Sequence, residues 1–498
     1  MMIVWQFISW YLVISLTGWL VFPLVYRLLP FLPERGLAFS RPFGLILCGY
    51  LYWLLVSLRI LQNDLGGVVF ALLAAAGLSL WSLRQGGWSQ LVKWLKSHRA
   101  EVLAVEALFL AAFGAWTVVR AAIPDASGTE KPMELAFINA ILRSPSFPPA
   151  DPWLSGYAIS YYYFGYVITA MLARLAFVPG AVAFNLAAAS WFGLAALAAY
   201  GLLFNLLALR RKADRKTARS LALLAPLFLL VVSNMGGFLE VLHSAGVFWR
   251  QTDAGAWQSD FWTWLDIQEL NQPPAPPFTG VPERPAGIWW WRSSRVLQDY
   301  TLDGQPREVI DEFPMFSFLL GDLHPHVLAM PFALLSAALA LNICLKRGRH
   351  PNDPPGLLRW LRQAEFWAAA LVLGGMAFLN TWDFPIYLVL FGAASLLPAL
   401  LYRGWRWPLL LDFLSCVTAL GAAGGILYLP FYLTFASQAG GILPSLAFFT
   451  RGVHFWVMFA SLLIPSAAWL IMIWLRGGQP EKIWPGLFLA ACAVGGLW

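Results

Sequence analysis

Three stretches of the chain carry side chains able to do acid–base or metal chemistry. The first runs from Ala121 to Trp153, where Glu130-Lys131-Pro132-Met133-Glu134 is followed by Arg143 and Asp151. Pro132 suits the first turn of a helix, in which Glu130 and Glu134, at i and i+4, would meet on one face. Carboxylates that close repel, so one pKa rises, a cation is recruited, or Lys131 relieves the charge. Each outcome suits acid–base work, with Glu130, Glu134 and Asp151 as the candidate catalytic carboxylates. A solvated helix start whose acids are favoured by the dipole fits the same spacing. Met133, Ala136, Phe137, Ala140 and Ile141 predict a short amphipathic helix lying on the membrane surface.

Tyrosines follow at 157, 161, 162, 163 and 166. Tyr is at home at the headgroup level, with its hydroxyl wet. Three in succession nevertheless point around most of a helix, so at least one of Tyr161, Tyr162 and Tyr163 must face the bundle and want a hydrogen-bond partner. The second stretch is Asp311-Glu312 through Gly321-Asp322-Leu323-His324-Pro325-His326, which holds two of the chain's six histidines. In an extended backbone Asp322, His324 and His326 project to one side, a donor set suited to a divalent metal ion. A capped helix start explains the same residues. Asn380-Thr381-Trp382-Asp383 is the third stretch, with Asp383 near the same outer surface or simply capping a turn. Lys131, Arg143, Arg292 and Arg295 are candidate phosphate ligands, although Arg is also common beside a membrane.

The elements that must position these groups are membrane helices. Of 498 residues 59% are hydrophobic and 12% charged, against about 45–50% and about 25% in soluble domains. Runs long enough to cross a bilayer fall near 4–28, 43–62, 66–83, 101–120, 157–177, 181–208, 219–238, 324–345, 364–381, 384–402, 408–430 and 453–475. These predict an all-α polytopic protein of about 12–13 transmembrane helices. A last apolar run, from Ile483 to Trp498, is too short to span and predicts a truncated C-terminus. The net charge of +7 sits in short Lys/Arg clusters between apolar runs, as in cytoplasmic loops facing anionic lipid, which argues for a bilayer partner and against nucleic acid. Cys48, Cys344, Cys416 and Cys492 all lie in apolar runs and form no disulfide or zinc pattern.

The basic clusters place the 121–156 and 239–320 loops outside. One inconsistency follows. Two runs, 157–177 and 181–208, separate the outer 121–156 loop from the basic cluster at 210–219, where an odd number is needed. Either 181–208 is broken or re-entrant, or that cluster defies the positive-inside rule.

Glu130-Lys-Pro-Met-Glu134, Phe147-Pro-Pro-Ala-Asp-Pro-Trp153, Ser160-Tyr-Tyr-Tyr-Phe-Gly165, Asp311-Glu-Phe-Pro, Gly321-Asp-Leu-His-Pro-His326 and Asn380-Thr-Trp-Asp-Phe-Pro385 together resemble the YYY membrane-protein family. That family has no assigned function and takes its name from its tyrosines. The resemblance covers residue 100, approximately, to the end. Its layout is similar to that of the GT-C glycosyltransferases, membrane enzymes that transfer sugars from polyprenyl-phosphate donors. The resemblance implies a GT-C-like core over 101–498 with an outer juxtamembrane helix, preceded by a three-helix segment, 1–100. It sets Glu130 and Glu134 in the place of the GT-C acidic motif, although position 134 is more often Asp in the family. It also implies a polyprenyl-phosphate-linked sugar as substrate, an unidentified acceptor, and action at the non-cytoplasmic face of the plasma membrane. A divalent ion at Asp322, His324 and His326 is the one cofactor the residues suggest. Two other classes stay open: a transporter or flippase using Glu101, Glu106 and Arg174, and a metal-dependent hydrolase built on Asp322, His324 and His326.

Overall fold

Each of the twelve apolar runs folds as helix in the computed structural model, which describes residues 2–84, 86–210, 214–232, 234–282, 289–301, 303–349, 357–436 and 450–476. The run from Ile483 to Trp498 lies outside the described residues. Among the described residues nine helices are long and apolar enough to cross a membrane: Val4–Leu28, Leu37–Ser57, Leu65–Ser82, Arg99–Ala122, Gly180–Ala208, Pro325–Gly348, Asp383–Arg403, Trp407–Leu427 and Gly452–Leu475. The other three runs depart from the sequence reading. Those at 157–177 and 364–381 become the shorter helices Phe164–Ala176 and Ala364–Leu379. The run at 219–238 is interrupted between Arg215–Val231 and Gly236–Ser244. The protein is therefore an all-α polytopic membrane protein, with nine helices of spanning length among the described residues.

The chain divides into two compact units, one comprising Met1–Pro226 with Gly321–Gln438, the other Leu227–Leu320 with Ala439–Trp498. In the first, small residues let helices approach closely. Gly193 lies under Phe109 and Phe113, and Trp116 stacks on Phe192 at 4.0 Å, fastening Arg99–Ala122 to Gly180–Ala208. The helices of the first hundred residues pack into this same unit. Arg41 pairs with Glu106 at 2.5 Å, and Glu106 also accepts the Trp19 indole N–H at 3.0 Å. Arg41 is buried whereas Glu106 is a quarter exposed, so it is loss of Glu106 that would leave a buried charge uncompensated.

The helix ends of this unit gather at two opposite poles. At one, Arg215 and Arg219 pair with Glu101, Lys346 pairs with Glu365, and Asn342 binds the backbone of Leu28 and Phe31. This is the pole of the basic clusters. At the other, Asn63 donates to the carbonyls of Ile141 and Ser144, and Tyr166 donates to Leu323 O. Phe164–Ala176 belongs entirely to this outer pole. Its 13 residues rise about 20 Å, short of the roughly 30 Å hydrocarbon core. Its last turn returns to the surface helix, where Arg174 donates to Leu142 O and Gly180 abuts Asn139. Ser9, near the outer end of the first span, donates to Ala176 O. The helix-count inconsistency is thereby removed: 181–208 is one unbroken helix and the only full crossing between the 121–156 loop and the basic cluster, because the 157–177 run does not cross.

The second unit has a core of its own. Trp262, Leu265, Ile267, Leu270 and Val296 pack with Val457 of Gly452–Leu475. His454 of that helix bonds Leu265 O at 2.8 Å, and Arg451 donates to Trp264 O at 2.6 Å. Two short antiparallel ladders, Arg250↔Gln258 and Asp299↔Arg307, turn the connecting chain around this core.

Candidate functional site

The outer pole of the first unit is built from the surface helix Lys131–Arg143, the turn Gly321–His324 and the start of Pro325–Gly348. The amphipathic pattern folds as read: Phe137, Ile138 and Ile141 are buried, and Pro132 lies at the helix start. Glu130 caps this helix from outside, and Glu134 N–H donates to Glu130 O. The two carboxylates part company there. Glu130 remains half exposed, with Oε2 at 3.1 Å from His324 Nε2 and at 3.5 Å from the Tyr161 hydroxyl, which donates to it. Glu134 is fully buried and accepts the Leu323 N–H on Oε2 at 2.7 Å, while its Oε1 has no hydrogen-bond partner. Burial first, and then the negative charge of Asp322, push the Glu134 carboxyl up to about 9, so it is neutral at pH 7.

His324 is the N-cap residue of Pro325–Gly348, with Pro325 at the first helical position. Its Nδ1 lies 2.8 Å from His326 Nδ1. The network is satisfied when His324 donates from Nε2 to Glu130 and accepts at Nδ1 the proton of His326. The result is a continuous chain from carboxylate to imidazole to imidazole. His326 in turn lies within electrostatic reach of Asp383, whose Oδ2 accepts from Asn380 Nδ2 at 3.1 Å. Glu130, His324 with His326, and Asp383, drawn from the three stretches, thus meet at one pole.

Asp322 is buried and accepts the Thr129 hydroxyl at 2.9 Å, and the charge of Arg120 acts on it. The helix begins at Pro325, between the two histidines, whose Nδ1 atoms face each other. Among the described residues no group of three or more His, Cys, Asp or Glu side chains is arranged to hold a metal ion.

The tyrosines divide by burial. Tyr161 and Tyr162 are half-buried and stack in series from Phe137 to Phe435. Burial and the neighbouring Glu130 and Glu134 hold the Tyr161 hydroxyl well above its ordinary pKa, keeping it a donor. Tyr163, expected at a substrate, is instead a core residue: it accepts the Trp53 indole N–H at 3.3 Å and packs edge-on to Phe378. Tyr166 and Glu134 together bind both backbone groups of Leu323.

Asp151, Arg143, Arg292 and Arg295 were also expected at the site. The Asp151 carboxylate accepts the N–H groups of Trp153 and Leu154 at 2.8 Å, a local turn that its side chain closes. Arg143 is exposed at the far end of the surface helix, about 18 Å along the axis from Lys131. Arg292 and Arg295 belong to the second unit, where they pair with Glu269 at 2.6 Å and Glu308 at 2.8 Å. Lys131 is buried at the helix start beside Glu130. The charges considered for transport are engaged as well: Glu101 by two arginines, Glu106 by Arg41, and Arg174 by Leu142 O.

Sequence reading missed Arg120, Asn185 and Gly321. Arg120 is buried at the outer end of its span, and its guanidinium donates twice to Asn185 Oδ1, at 2.8 and 3.1 Å. Gly321, at φ +78°, presents its backbone directly to that guanidinium; a Cβ there would lie 1.9 Å from Nη1. An Arg within an apolar run was the available signal. No curated protein and no solved structure matches the chain. A family model of uncharacterized membrane proteins, DUF2298, matches residues 47–498, beginning inside the second span. The chain belongs to this family of uncharacterized membrane proteins.

Proposed function

We propose that the protein is a glycosyltransferase of the plasma membrane that takes a sugar from a polyprenyl-phosphate donor at the outer face. The observation that carries the reading is the Glu130–His324–His326 chain, an exposed carboxylate backed by two imidazoles at the level of the headgroups. Glu130 is the general base. It takes the proton of an acceptor hydroxyl, whose oxygen bonds to the anomeric carbon; the bond from that carbon to the phosphate oxygen breaks, and its electron pair departs with the lipid phosphate. His324 orients the carboxylate and shares the proton along the chain. The imidazoles and the positive end of the Pro325–Gly348 dipole favour the departing anion. Tyr161 and Tyr162 offer aromatic faces beside it. Glu134, neutral and buried, positions the turn that carries His324. No step requires a metal.

The test is transfer from a radiolabelled polyprenyl-phosphate sugar in membranes carrying Glu130→Gln or His324→Ala. A positioned base contributes about 10²–10⁴ in rate, so Glu130→Gln should lose at least a hundredfold, roughly, and His324→Ala somewhat less. Transfer by Glu130→Gln at the wild-type rate would remove the base assignment.

A further inference from the structure

The second unit contains a groove of about 880 Å³ that the acid–base chain does not use, within the range of small-molecule sites. One wall is the proline-rich stretch, with Pro273, Pro274, Pro276 and Pro277 on the surface of the groove. Proline carries no N–H and a fixed φ, so this wall is apolar, rigid and donor-free. The opposite side is polar. Glu240, on Gly236–Ser244, is 2% exposed and lines the groove, and its Oε2 has no hydrogen-bond partner. Glu269 also lines it, paired with Arg292 at 2.6 Å, and the Arg292 charge reaches Glu240 as well.

The lining selects among ligand classes. Burial pushes the Glu240 carboxyl up to about 8, and a buried carboxyl oxygen without a partner is costly, so it calls for a ligand group that can both donate and accept, as a hydroxyl does. An anion finds the Arg292 guanidinium already paired with Glu269. Organic cations find no Trp, Tyr or Phe face among the lining side chains, and Glu269 is already paired with Arg292. What fits is a neutral molecule with several hydroxyls and an apolar face: hydroxyls for Glu240 and Glu269, an acceptor oxygen for Arg292, and C–H surface against the prolines. We propose that this groove binds a saccharide. The inference rests on the groove alone and holds whether or not the outer pole transfers sugar.

The full chain, purified in lauryldimethylamine oxide so that no detergent carries a sugar headgroup, is examined by saturation-transfer NMR. The probes are the methyl glycosides of glucose, mannose and galactose, with ethanolamine and inorganic phosphate alongside. At least one glycoside should bind saturably. Glu240→Ala should weaken it at least tenfold, roughly, and so should Thr279→Trp, which fills the groove from an exposed position without touching the buried carboxylate. The proposal is overturned if no glycoside binds, if only ethanolamine or phosphate binds, or if both variants bind like the wild type. Glu130→Gln should bind glycoside normally; loss of transfer with binding intact bears only on the acid–base chain.

Discussion

Glu130 and Glu134 share a helix start but not an environment. Their spacing was legible in the sequence; their division of labour was not, because the group that claims Glu134 is Leu323 N–H, 189 positions away. The same distant turn places the histidines, whose Nδ1 atoms lie 2.8 Å apart across the start of the helix. Burial makes Glu134 a pH-sensitive element of the fold. Its folded value, about 9, lies above the ordinary 4.5, so the fold prefers the protonated form. That contribution is complete below about pH 4.5 and is lost as the pH rises toward and through 9. Glu134→Gln keeps an acceptor for Leu323 N–H and removes the titration. Thermal unfolding in detergent should show the variant close to wild type at pH 5 and clearly more stable at pH 9. Glu134→Ala should instead be destabilised by about 1–3 kcal/mol at pH 5, since it strands a buried N–H. Parallel pH curves for wild type and Glu134→Gln would show that the carboxyl is ionised in the fold.

Among the elements, the surface helix and the start of Pro325–Gly348 were readable almost to the residue, since Pro at the first turn and an amphipathic stripe are local signals. The tyrosine helix was not. It begins at Phe164 and not near Tyr157, because the preceding residues are drawn into an extended bridge, Ala150↔Ala158, and Ser160 is bonded to Ala436. The turn Gly321–His324 is the element on which the proposed chemistry depends, and it is seated between Glu134, Tyr166 and Arg120. Gly321→Ala should disturb it twice: a side chain at φ +78° is strained by about 1–2 kcal/mol, and the added methyl must displace a guanidinium that Asn185 already holds. The expected outcome is folded protein with transfer reduced at least tenfold, roughly, as His324 shifts from Glu130. Wild-type rate and melting temperature together in Gly321→Ala would mean that Arg120 does not fix the turn.

At the scale of the whole molecule, composition and the run of hydrophobic segments disclosed a polytopic helical protein at once, yet counting runs misjudged the topology. An apolar run of ordinary length need not cross: Phe164–Ala176 is apolar because it is buried in protein at the outer pole, its Phe164 stacked on Phe378 and its Ile168 against Gly49. Hydropathy cannot separate burial in protein from burial in lipid, whereas the bond of Arg174 to Leu142 O can. The consequence is a definite sidedness. With only Gly180–Ala208 crossing between them, Ser155 and Lys216 must face opposite sides of the membrane; had the tyrosine helix also crossed, they would share one. Both residues are exposed, so each can be replaced singly by cysteine in a chain whose four native cysteines are changed to alanine. A membrane-impermeant maleimide added to intact cells should label Ser155→Cys, and should label Lys216→Cys only after permeabilisation. Labelling of both from outside would restore the extra crossing and set the 210–219 cluster against the positive-inside rule.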